Sequence, residues 1–120
     1  MLALNVENLG DLVVVECRGR VVHSNDVFKL RDIVRSQANA ETIVLDLSEV
    51  KAIGGGGVGM LAFLQRWAED HGIKLKLYSP SHPVLDELMR NRSAVNFEIP
   101  SLHEMMGMLA EAECEYRIAA

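Results

Sequence analysis

Long apolar runs are missing from this sequence. Nowhere do about 18 apolar residues follow one another, the length that a membrane-spanning helix requires, and the first nine residues hold neither lysine nor arginine. Neither membrane insertion nor a secretory signal is therefore expected. Cysteine is scarce too: Cys17 and Cys114 stand far apart and form no C-x-x-C. A reducing, cytoplasmic setting is expected, with Cys17 packing as a small hydrophobe inside its apolar run. A basic stripe is also lacking, since 12 Lys and Arg face 17 Asp and Glu for a net charge of -5. That argues against a protein that tracks nucleic-acid phosphates. The acids Glu111, Glu113 and Glu115 fit a solvated C-terminal segment better than a binding patch. His23, His71, His82 and His103 show no metal-ligand spacing. No local motif supports a Ser/His/Asp or Cys/His arrangement, so neither an enzyme, a metal nor a cofactor is expected.

What is present is an alternation of strands and helices. Leu2 to Val6 reads as a weak strand and the β-branched run Leu12 to Cys17 as a strong one, joined as a hairpin by turn residues at 8–11. Gly19 should stop the second strand. Ser24 or Asn25 can cap a helix starting near Asp26, whose Val27, Leu30, Ile33 and Val34 share one face. Thr42 to Leu47 is nearly continuously apolar, as a covered central strand is. A loop is expected from Ser48 to Ile53, then four glycines, then a helix from about Val58 to His71 closed by Gly72. Ile73 to Leu77 alternates as a strand, and Ser81-His82-Pro83 opens a third helix. A short last strand at Val95 to Glu98 and a fourth helix from Ser101, with a capping box to Glu104, complete the pattern. These elements predict a single α/β domain over 1–120, with a mixed, mostly parallel sheet of four to five strands and about four helices.

The glycine run is the least ordinary stretch. A phosphate-binding P-loop, G-x-x-x-x-G-K-[ST], is met by Gly54 and Gly59 alone, because Met60 and Leu61 stand where the lysine and hydroxyl belong. The dinucleotide fingerprint G-x-G-x-x-G is formally met by Gly54, Gly56 and Gly59. It should follow a strand directly, yet six residues intervene, and no ribose-binding acid ends the next strand.

The stretch Leu45-Asp46-Leu47-Ser48-Glu49-Val50-Lys51-Ala52-Ile53, continuing through Gly54 to Gly57 into Val58-Gly59-Met60-Leu61, resembles a known signature. It is that of STAS domains, D-L-S-x-V-x-x-I-D-S-[ST]-G-L-G-x-L. Gly19-Arg20-Val21 resembles the earlier G-x-[LV]-D turn of the same family, and the similarity spans about residues 2 to 112. Within the family the chain resembles the anti-sigma factor antagonists. These bind a kinase-fold anti-sigma factor, and phosphorylation of a Ser or Thr at a helix start breaks the complex by added charge.

The resemblance implies a partner-binding protein that regulates transcription through an anti-sigma factor or serine kinase-like partner. It also marks a departure, because Gly54 stands at the family Asp, Gly55 at the first Ser and Gly56 at the phosphorylated position, while Val22 replaces the acid of the earlier turn. A switch at Gly56 is therefore not expected. The glycines either mark a partner surface that has lost its switch or form a nest of bare N–H groups for an anion. The expected partner-binding residues are Gly54, Gly55, Gly56, Gly57, Val58, Met60, Phe63, Trp67, Val22 and Ser24. Ser24 is expected at the same sheet end, and Phe63 and Trp67 at the edge of an apolar helical arc. The alternatives are an accessory STAS subunit of a stress-signalling assembly or of a transporter ATPase and, less in keeping with the residues, a nucleotide-binding domain.

Overall fold

The valines at 13–15 lie in the first half of strand β2 (Leu12–Val21), which pairs antiparallel with β1 (Leu2–Leu9) across a Gly10-Asp11 turn. The structure, a computed structural model, describes residues 2–90. After β2 come α1 (Ser24–Arg35), β3 (Thr42–Ile53), α2 (Gly55–Asp70), β4 (Lys74–Tyr78) and α3 (His82–Arg90). The strand and helix expected after Val95 lie outside the described residues.

The sheet order is β1-β2-β3-β4, with β2–β3 and β3–β4 parallel. Strand order advances in one direction, and right-handed crossovers then place α1 and α2 on the same face. Odd-numbered residues of the strands meet them there: Val13, Val15, Ile43, Leu45, Leu75 and Leu77 pack with Leu30, Val34, Leu61, Leu64, Val84 and Leu88 in one core. A smaller cluster, Leu12, Val14 and Val44, occupies the other face. Because the order of the described strands never reverses, they form no topological switch point, the crevice where doubly wound folds hold dinucleotides.

Several elements differ from expectation. Strand β3 continues through Ser48 to Ile53 instead of ending at Leu47, so Gly54 does follow a strand directly; the missing acid after β4 and the topology are what oppose a dinucleotide site. The pairing explains why this was hidden. Glu16 faces Asp46 but Arg18 faces Glu49, and Gly19 faces Val50 but Arg20 faces Ala52. Each shift is a bulge that adds one residue to β3 and breaks the period of two on which strand recognition rests. Gly19 does not stop β2; it lies within the bulged stretch at φ 107, where a side chain would be strained.

Helix α1 starts at Ser24, with His23 at the cap position and no side-chain cap bond. The His23 carbonyl accepts the N–H groups of Asp26 at 3.0 Å and Val27 at 3.1 Å. This earlier start buries Asp26, whose Oδ1 accepts the Leu2 N–H at 3.1 Å, while Lys29 Nζ donates to the Leu2 carbonyl at 2.8 Å. The edge strand β1 is thereby tied to α1.

Helix α2 starts at Gly55, three residues before expectation. It ends as predicted beside Gly72, where Ile73 N–H reaches the Ala68 carbonyl at 2.8 Å and Gly72 N–H that of Glu69 at 3.2 Å. That pair of bonds is a Schellman closure.

Candidate partner-binding site

The ends of β2 and β3 are stitched together where α2 begins. Gly54 N–H donates to the Val21 carbonyl at 3.0 Å, and the Gly54 carbonyl accepts the Val58 N–H at 3.0 Å. Gly55, Gly56, Gly57 and Gly59 lie inside the helix, each costing about 1 kcal/mol relative to alanine. Burial of Val58, Leu61, Leu64 and Ala68, all at most 4 % exposed, outweighs that cost, because a fully buried leucine alone contributes about 1.5–3 kcal/mol. Tertiary packing therefore makes a helix of residues whose local preference is against one.

Packing demands a glycine at only one place in the run. A Cβ on Gly57 would stand 2.6 Å from Ile53 Cγ1 and 2.8 Å from the Val21 carbonyl oxygen. At Gly54 the contacts would be ordinary, and at Gly55, Gly56 and Gly59 a Cβ would meet nothing within 4 Å.

Above this junction an open groove runs between α1 and α2. Val22, Ser24, Val27 and Phe28 form one side; Gly56, Gly59, Met60 and Phe63 form the other. The second group lies at i, i+3, i+4 and i+7 and so shares one helical face. Val22, Phe28 and Phe63 are each 47 % exposed, a concentration of large apolar groups in water. No titratable side chain among the described residues lines the groove. General acid–base chemistry has no agent here, and an anion would be held by the unpaired N–H groups of the helix start alone.

Of the expected residues, the groove collects Val22, Ser24, Gly56, Met60 and Phe63. Gly55 is exposed beside it and Gly54 half-buried, whereas Gly57 and Val58 are buried beneath the helix start. Trp67 lies farther along the α1–α2 seam, beside Asp32, Arg35 and His71. Its half-buried ring packs on the core and stands 4.9 Å from the His71 ring, whose Nδ1 lies 2.8 Å from the Trp67 carbonyl oxygen. The expectation missed Val27, Phe28 and Gly59. Phe28 carried a signal: it is an aromatic residue outside the stripe of Val27, Leu30 and Val34, one turn before Arg31 and Asp32. The Arg31 guanidinium now lies 4.9 Å from the centre of its ring.

A mixed sheet, helices on one face and an apolar, uncharged groove at the start of the second crossover helix define a small α/β domain without a built catalytic centre among the described residues. The chain belongs to the STAS domain family, whose model matches residues 3–104. Among curated proteins nothing matches. In fold it is similar to the anti-sigma factor antagonist SpoIIAA in its unphosphorylated form, with a TM-score of 0.73 at 18% identity over 91% of this chain and 97% of that one. An anti-sigma factor antagonist from Mycobacterium paratuberculosis is similar with a TM-score of 0.75 at 16% identity, covering 92% of this chain and 95% of that one. SLC26A9 contains the same fold, with a TM-score of 0.68 at 16% identity over 89% of this chain but only 21% of its own. None of the described helices is long and apolar enough to cross a membrane.

Proposed function

We propose that this STAS domain is a protein-binding module of the anti-sigma factor antagonist kind. In this reading its partner, a kinase-fold anti-sigma factor, docks in the α1–α2 groove, and transcription is regulated by that binding. The observation that carries the proposal is the groove itself. Three large apolar side chains stand half in water around Gly56, the position where the family resemblance puts the phosphoacceptor. Exposed apolar surface with a polar surround marks an interaction site, and aromatic anchors supply much of the energy at such sites.

Gly56 has no hydroxyl, so the charge that would break the complex cannot be added at that residue. Binding is then constitutive at this site, governed by the amount of protein or by modification elsewhere. Gly57 and Val58 serve by shaping the helix start from below, because they are buried.

The test is a calorimetric titration against the purified kinase-fold anti-sigma factors of the same organism. Saturable binding, weakened at least tenfold by Phe63→Asp with an unchanged melting temperature, supports the proposal. Absence of binding to all of them, or binding indifferent to Phe63→Asp, contradicts it. Substitution at Gly57 would be a poor probe, since a bulky side chain there displaces Ile53 and disturbs the fold.

The resemblance to one segment of SLC26A9 favours an alternative in which the domain is an accessory unit of a larger assembly. Gene neighbourhood separates the two, since genes for a sigma factor and genes for a transporter are different company.

A further inference from the structure

A second depression shares no lining residue with the groove. It lies where the upper ends of β2 and β3 meet the start of α3, and its lining includes the cations Arg18, Arg20 and Lys51, the acid Glu49, and the hydroxyls of Ser48 and Ser81. Both β3 bulges open onto it. The first bulge follows Asp46 and displaces Ser48, and the second leaves Lys51 without a ladder partner opposite Gly19 and Arg20. Bulges re-aim side chains and are enriched beside functional sites. Two of them border this one depression.

The charges there are unevenly matched. Arg18 engages both flanking carboxylates, with Nε 3.0 Å from Glu49 Oε2 and Nη2 3.6 Å from Glu16 Oε2. Asp46 Oδ1 accepts the N–H of Ser48 at 3.0 Å and its hydroxyl at 2.7 Å. The Ser81 hydroxyl donates to the Val50 carbonyl. Each neighbouring acid thus has a partner, whereas Arg20 and Lys51 form no ion pair among the described residues. They lie on adjacent strands of a chain whose net charge is -5.

We propose that this depression binds a phosphate monoester, held by the Arg20 guanidinium and the Lys51 ammonium. Such a group carries about -1.5 to -2 charges at neutral pH, the charge these two cations balance. Arginine offers a fork to two phosphate oxygens and lysine a point charge, a pairing suited to that anion. The ester comes either from a phosphorylated side chain of another protein or from a small molecule such as a nucleotide. The depression and the groove share no lining residue, so phosphate binding and partner docking use different side chains.

The experiment is an amide chemical-shift titration of the whole chain with inorganic phosphate, a phosphoserine peptide and adenosine monophosphate, with sodium chloride at matched ionic strength as the control. Saturable shifts at Gly19, Arg20, Ser48 and Lys51 are expected. They should weaken at least tenfold in Arg20→Gln and in Lys51→Gln, and recover in Lys51→Arg. A tenfold preference for the peptide or for the nucleotide identifies the source; equal binding of all three assigns the site to the phosphate alone. Both cations are exposed, so the variants keep the fold. The proposal is overturned if no probe gives saturable shifts there, if the shifts survive in both glutamine variants, or if they fall on Gly55 to Gly57 instead. Because the two sites share no lining residue, this outcome is independent of the anti-sigma titration.

Discussion

Gly57 lies so close to Ile53 that a methyl group added to it would stand 2.6 Å from Ile53 Cγ1. No shift of the Ile53 side chain alone relieves this, since the Val21 carbonyl oxygen would be 2.8 Å away on the strand beside it. Gly57→Ala should therefore destabilise the domain by about 1–3 kcal/mol, the range for overpacking. Gly56→Ala, whose Cβ meets open space, should stabilise it by about 0.5–1 kcal/mol through helix propensity. Urea denaturation of the two variants checks the pair. An equal effect at both positions would refute the distinction drawn between them.

The buried Asp26 should matter more than its place in an exposed-looking sequence suggests. Asp26→Ala leaves the Leu2 N–H without its acceptor and should cost about 1–3 kcal/mol. Hydrogen exchange should quicken along β1 before it does in β3, because the edge strand loses its tie to α1. Asp26→Asn keeps a carbonyl acceptor and should cost less.

Cys17 sets a pH dependence. It is 1% exposed, and burial first, then the negative charge of Asp46, pushes its thiol from 9.0 up to about 12. Below pH 9 the thiol is protonated in both folded and unfolded chains and contributes no slope. Between 9 and 12 the unfolded chain is thiolate while the native one stays protonated, so unfolding releases a proton and stability falls as pH rises. The fall should approach about 1.4 kcal/mol per pH unit. Denaturation of wild type and Cys17→Ala at about pH 8 and about pH 10 isolates it: the wild type should lose more. Parallel losses would show that Cys17 does not titrate in this way.

The sheet and the helical faces were legible because their periods are intact. Leu75 and Leu77 alternate with Lys74 and Lys76, and Val27, Leu30 and Val34 recur at helical spacing. The upper half of β3 was not legible, because its bulges put polar Ser48, Glu49 and Lys51 among buried Val50 and Ile53. The start of α2 was hidden for a different reason: glycine propensity points away from a helix, and the packing that overrides it involves Val21, far off in sequence. The site was half legible. The family motif drew attention to Gly56 and Val22, but only the juxtaposition of α1 and α2 brings Phe28 opposite Phe63 and leaves Trp67 outside the groove.

The family switch should be restorable at Gly56. A Cβ there meets nothing within 4 Å, so Gly56→Ser keeps the fold and presents a hydroxyl at the mouth of the groove. Incubated with ATP and a kinase-fold anti-sigma partner, the variant should gain the mass of one phosphate and lose affinity, whereas the wild type should gain none at this site. No phosphate on the variant would mean that the acids absent at Val22 and Gly54 are needed for recognition by the kinase.

The most direct measurement is an amide chemical-shift titration of the labelled domain with the unlabelled kinase-fold anti-sigma factor proposed as its partner, with and without ATP. Docking in an unswitched groove predicts perturbations at Val22, Ser24, Phe28, Gly56, Gly59, Met60 and Phe63, with the same affinity in both conditions. Perturbations confined to the opposite sheet face, or binding abolished by ATP, would contradict it.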